Sequence, residues 1–159
     1  ARAFVQTLRL SQHKDALKNV NIALALRPSY ADAMAVKATA LIGLKKPIEA
    51  LESLAQAREL NPNFSIEYLS IELIAHLMME EWKKAKEVAT LALQRLPEHR
   101  SSLVMLIMAD VALGNMEDAL WNLEELLVLN PDFKFENWQF GDFKFLNEIA
   151  LQTAKKIYQ

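Results

Sequence analysis

Ser11, His13 and Asp15 bring together the hydroxyl, imidazole and carboxylate that acyl-transfer enzymes use as nucleophile, base and orienting group. Catalytic geometry is spatial, and three side chains held within one turn do not converge on a reacting carbon in those roles, so chance composition explains them. His76 and Asp110 stand 34 residues apart, a spacing that recurs along the chain, and as neighbours they could form a buried, pH-sensitive pair. The simpler expectation is that each reaches solvent or a backbone carbonyl. Lys83, Lys84 and Lys86 are interleaved with Glu80, Glu81 and Glu87, the pattern of a solvated mixed-charge face rather than a phosphate site. Gly43, Gly114 and Gly141 are isolated, so no glycine-rich phosphate loop exists. No Cys is present, which removes disulfides, thiolate metal sites and Cys nucleophiles, and no metal-ligand spacing occurs. These residues predict no enzyme, no cofactor and no metal for this segment.

The chemistry must therefore lie in surfaces, and composition says what kind of body carries them. The chain has 159 residues, enough to bury about 70% of the surface its unfolded form exposes. It is 52% hydrophobic and 24% charged with three Gly and five Pro, a folded helical profile without long disorder. A formal net charge of -2 gives no electrostatic reason to expect nucleic acid or an anionic membrane as partner. The longest fully apolar run, Leu103 to Ala109, is too short to span a bilayer. The absence of Cys fits a reducing compartment, and a cytoplasmic location is expected. The opening Ala1-Arg2-Ala3-Phe4 has neither an initiator Met nor a signal-peptide core and predicts a cut within a longer chain.

Four prolines set the organisation. Pro28, Pro62, Pro97 and Pro131 follow one another at 34, 35 and 34 residues, and Pro47 falls outside the series. Twelve residues before each stands Ala16, Ala50, Ala85 or Ala119, and two after each stands Tyr30, Phe64, His99 or Phe133. Eight before come Val20, Leu54, Ala89 and Leu123, and five before come Ala23, Ala57, Ala92 and Leu126. A small side chain one turn into a helix lets a neighbouring helix approach closely, and a Pro that cannot continue the helix sets its stop.

The segments "ALGNMEDALWNLEELLVLNPDF" and "LKKPIEALESLAQARELNPNF" carry this register most plainly, and residues 1–134 resemble the tetratricopeptide repeat family. The resemblance implies an all-α solenoid of about four antiparallel helix pairs in a right-handed superhelix, with repeats at about 1–30, 31–64, 65–99 and 100–134. Helices are expected over 1–10, 14–26, 31–44, 47–60, 66–79, 82–95, 101–113 and 117–129, the third repeat carrying one extra residue at or after Ser65. Residues 135–159 break the register and predict a capping segment and helix, with Asp142 as N-cap and Leu146, Ile149, Ala150, Thr153 and Ile157 on its inner face. The run "NPDFKFENWQF" resembles tails after the last repeat in some bacterial cyclase-linked and regulator-linked members, a likeness that carries no functional residue.

In this family the first helix of each pair lines a concave groove, which implies a protein or peptide partner. Residues 101–113 are apolar on every side, and a helix of that kind is normally covered all round. The groove residues expected are Val36, Thr39, Leu69, Leu73, Val104, Met105 and Met108, an apolar set suited to an amphipathic helix or extended segment. They include no Lys, Arg and Asn set of the sort that clamps a C-terminal carboxylate. The alternatives are that the chain's own segments fill the groove, or that the repeats serve self-association or cover another domain of the same polypeptide.

Overall fold

A computed structural model of the chain describes residues 13–138 and 144–158. Eight α-helices occur among them: α1 His13–Leu26, α2 Ala31–Gly43, α3 Pro47–Leu60, α4 Ile66–Met78, α5 Trp82–Arg95, α6 Arg100–Leu113, α7 Met116–Leu129 and α8 Lys144–Ile157, with a 3₁₀ turn at Phe135–Asn137. No strand occurs among the described residues. The seven helix ranges expected from 14 to 129 match to within a residue at either end, because proline spacing and apolar register specify the same boundaries. The expected first helix, over 1–10, lies outside the described residues, as do Ser11 and Asp142.

The three joints between paired helices among the described residues are closed in the same way. Lys45, Glu80 and Gly114 take positive φ values of 60°, 56° and 81°. The next residue donates its amide back across the turn, from Lys46 to Leu41 O, Glu81 to His76 O and Asn115 to Asp110 O, each at 2.9 Å. This is the six-to-one closure that satisfies the exposed carbonyls of a helix end. Lys46, Glu81 and Asn115 then open the next helix, their carbonyls accepting from the amides of Ala50, Ala85 and Ala119. Those three alanines are fully buried, which is why the position stays small. Pro47 sits in the first turn of α3, where its missing amide costs no bond.

The chain divides into two compact units, residues 1–75 and 76–159. In the first, α1 packs on α2 and α2 on α3. His13 is buried, and its imidazole lies so close to Gly43 that an added Cβ would come within 2.2 Å of it. Arg58 stacks over Phe64 at 4.6 Å and pairs with Glu72, while Phe64 stacks on Tyr68 at 5.6 Å. The Tyr68 hydroxyl donates to Asp32 Oδ1 at 3.3 Å. Burial, and then the Asp32 charge, push the Tyr68 pKa up.

In the second unit α6 is the centre, packed by α5, α7 and α8. It buries every residue from Ser102 to Val111, as a helix apolar on all sides must. Asp110 is the charged exception. Its carboxylate accepts from Lys86 Nζ at 2.7 Å, Asn115 Nδ2 at 3.2 Å and Asn122 Nδ2 at 3.3 Å, and Lys86 also reaches Asp118 at 2.8 Å. The bonds to Asp110 and Asp118 hold the Lys86 pKa above the ordinary lysine value against the opposing effect of burial. Beyond α7, Phe133 meets Phe135 edge to face at 4.9 Å and Trp138 at 5.5 Å, and the 3₁₀ turn packs on α8. The C-terminal helix packs on α6 with Leu146, Ala150, Thr153 and Ala154 buried, while Ile149 and Ile157 of the expected inner face are partly exposed.

Candidate functional site

The first helices of successive pairs present equivalent residues at equal distances from their closing prolines. Leu77 on α4 and Val111 on α6 each stand twenty residues before Pro97 and Pro131, and Met78 and Ala112 each stand nineteen before. In the second unit these four residues, with Met108 and the side chain of Trp82, form one wall of a cleft of about 420 Å³. The opposite wall belongs to α8, through Phe145, Glu148, Ile149, Gln152, Thr153 and Lys156. The C-terminal helix therefore lies along the face that the first helices present in common. Ala112 is exposed and Met78 half-exposed, so the wall meets solvent at its rim.

The cleft is lined about equally by polar and apolar surface, with Leu77, Met108 and Val111 buried and Glu80, Glu148, Gln152 and Lys156 exposed. Near Glu80, Glu81 receives Lys84 Nζ at 2.7 Å and meets His76 Nδ1 at 2.7 Å, and these two contacts, Lys84 first, hold its carboxyl below the usual range. His76 and Asp110 are both buried; His76 meets Glu81, and Asp110 accepts from Lys86, Asn115 and Asn122. Among the described residues no group of three or more His, Cys, Asp or Glu could hold a metal. No described helix is long and apolar enough to cross a membrane.

Of the seven residues expected to line a groove, Val36 is partly exposed, and Thr39, Leu69, Leu73, Val104, Met105 and Met108 are buried. The Thr39 hydroxyl is turned to its own helix, donating to Ala35 O at 3.1 Å. Met108 reaches the cleft, and Val104 and Met105 are interior residues of α6. Leu77, Met78, Val111 and Ala112 escaped sequence reasoning. Their signal was present in the proline-anchored register, but on an all-apolar helix that register does not tell a buried side from a lining one.

No protein-family model matches the sequence, and no curated protein matches it. Solved structures do. A double mutant of MamA, described as "MamA RS-1 ArsTM double mutant", superposes with a TM-score of 0.73 at 15% identity, covering 98% of this chain and 88% of that one. A tetratricopeptide repeat protein from Parabacteroides merdae superposes with a TM-score of 0.62 at 16% identity, over 94% of this chain. This chain spans 59% of the length of that second protein. At such identities the likeness speaks to architecture alone, and with the recurring joints, the buried alanines and the proline period it gives one result: this chain has the all-helical fold of tetratricopeptide-type repeats.

Proposed function

We propose that the chain is a protein-interaction module whose second unit receives an amphipathic helix or an extended segment along the shared face of its first helices. The observation that supports this reading is the cleft itself: first-helix residues Leu77, Met78, Met108, Val111 and Ala112 stand opposite a helix, with water-accessible space between. The apolar first-helix wall, with charged Glu80, Glu148 and Lys156 beside it, suits a segment that is apolar on one side, and the methionines Met78 and Met108 adapt to differing side chains. Val104 and Met105 support the face from within the core, and the first unit offers Val36, Leu69, Leu73 and Thr39 at its own first helices in the same capacity.

The test is to select binders from a displayed library of amphipathic helical peptides, then compare wild type with Met78→Glu and Ala112→Glu. These two positions are at the rim, whereas Met105→Glu or Met108→Glu would bury a charge and unfold the protein. Weakening of about tenfold or more by either rim variant is expected; selected peptides that bind both variants as tightly as wild type would show that the face is elsewhere.

A second reading, self-association, draws on α7, where Trp121 is 66% and Val128 81% exposed beside Leu120. Sedimentation at several concentrations, with no ligand added, separates it from the first.

A further inference from the structure

The cleft is bounded by a helix that fits it poorly. Helix α8 is amphipathic and lies on the first-helix face, yet among its described residues Leu146, Ala150, Thr153 and Ala154 are buried while the large apolar Phe145, Ile149 and Ile157 stay partly exposed. Where Gln152 and Thr153 face Val111 and Ala112, space of about 420 Å³ remains. By contrast α6 buries ten consecutive residues in the same unit. Hydrophobic stabilisation scales with the apolar area removed from water, so a helix that leaves Phe145, Ile149 and Ile157 only partly covered beside an unfilled cleft is seated less firmly than α6. Local opening of such an element costs far less than global unfolding.

Resting on the reading above, we propose that α8 is the resident occupant of the docking face, and that a partner helix gains entry by displacing it. The partner is specified by what α8 lacks: an amphipathic helix with large apolar side chains where α8 carries Ala150, Gln152 and Thr153. It gains contact with Met78 and Ala112, which the resident helix leaves in reach of solvent, and takes over the cover of the buried Leu77 and Val111. Bound α8 lowers the apparent affinity for that partner by the fraction of time the face is open. Its basic last turn, Lys155 and Lys156, complements the negative end of its own helix dipole and so favours the helical form.

The experiment uses the full chain in two forms, wild type and Leu146→Asp, the second placing a charge at a fully buried seat of α8. A fluorescent synthetic peptide of residues 142–158 is titrated into each, with circular dichroism confirming that the helices of the variant remain. The released chain is expected to bind the peptide about tenfold or more tightly than wild type, and Ala112→Glu added to it is expected to abolish the difference. Equal binding by the two chains, or none by a folded Leu146→Asp chain, overturns the latch. If Leu146→Asp does not fold, Gln152→Leu decides: filling the cleft is expected to raise Tm by a few degrees and to weaken library-selected helices severalfold, and unchanged affinity for them overturns the proposal. Selected helices that bind wild type and Leu146→Asp alike, yet lose affinity with Ala112→Glu, sink the latch and leave the docking face standing. Selected helices indifferent to Ala112→Glu sink the face itself.

Discussion

Two steps of the repeat, one in each unit, occupy the same register with opposite chemistry. In the first unit, Leu17 on α1 and Leu41 on α2 stand eleven and twenty-one residues before their prolines. In the second unit those places are Lys86 on α5 and Asp110 on α6, which meet at 2.7 Å, with Asp110 fully buried and Lys86 one-third exposed. The repeat thus tolerates either an apolar pair or an ion pair at one location, provided that the acidic member is saturated with donors. Asn115 and Asn122 complete that saturation. The lesson is that the backbone register is fixed by the joints and the alanines, while the side chains between them are free to differ.

The comparison breaks most visibly at Asp110. Asp110→Leu alone copies the first unit's side chain but strips the acceptor from Lys86, Asn115 and Asn122; a loss of about 2–3 kcal/mol is expected in urea unfolding, discounted because Lys86 keeps Asp118. Adding Lys86→Leu should recover most of it, since an apolar pair replacing a buried ion pair is often neutral. A double variant no more stable than Asp110→Leu would mean that the two units are not interchangeable at this step.

Ala50 and Ala119 extend the comparison to the crossings. Replacing either with Phe is expected to cost roughly 1–3 kcal/mol, with similar values in the two units, because both are fully buried against a neighbouring helix. Thermal melts of the two variants side by side give the answer, and a tolerated Phe at one site would show that the crossings differ.

Smaller effects are expected at the joints. Gly114→Ala meets no neighbour within 4 Å but must hold φ near 81°, which costs about 1 kcal/mol. Lys45→Gly and Glu80→Gly, at φ of 60° and 56°, relieve the same strain and should be neutral or stabilising by up to about 1 kcal/mol. Denaturant midpoints would reveal the opposite signs.

The smallest effects come from pH. Lys86 and Tyr68 both titrate above their ordinary values when folded, so the stability they lend is complete below about pH 10 and is lost as pH rises through the raised values. Glu81 titrates below its ordinary value, so its contribution is present at neutral pH and disappears as pH falls through the lowered value, below about 4. Melting curves across pH should show both limbs, and Glu81→Gln should flatten the acid one.

Much of this architecture was legible in the residues. Pro28, Pro62, Pro97 and Pro131 with Ala16, Ala50, Ala85 and Ala119 locate seven helices, because a stop and a crossing are each tied to one residue type. The cleft was less legible for a physical reason. On α6, Val104, Met105, Met108 and Val111 are alike in polarity, and only the position of α8, which no repeat pattern specifies, tells which of them meet the cleft. The partners of Asp110 were equally hidden, since Lys86 and Asn122 lie 24 and 12 residues away and meet it only through the packing of α5, α6 and α7, and Asn115 reaches it only once the joint has closed.

The left-handed joints bear on how such chains diverge. Only one of the three described joints uses glycine, and the other two carry a lysine and a glutamate, whose strain the six-to-one amide bond offsets. Kinship among solenoids of this type can therefore persist in the hydrogen-bond geometry of the corner after the corner's own letter has been rewritten, and a motif that insists on glycine there would overlook two of these three corners.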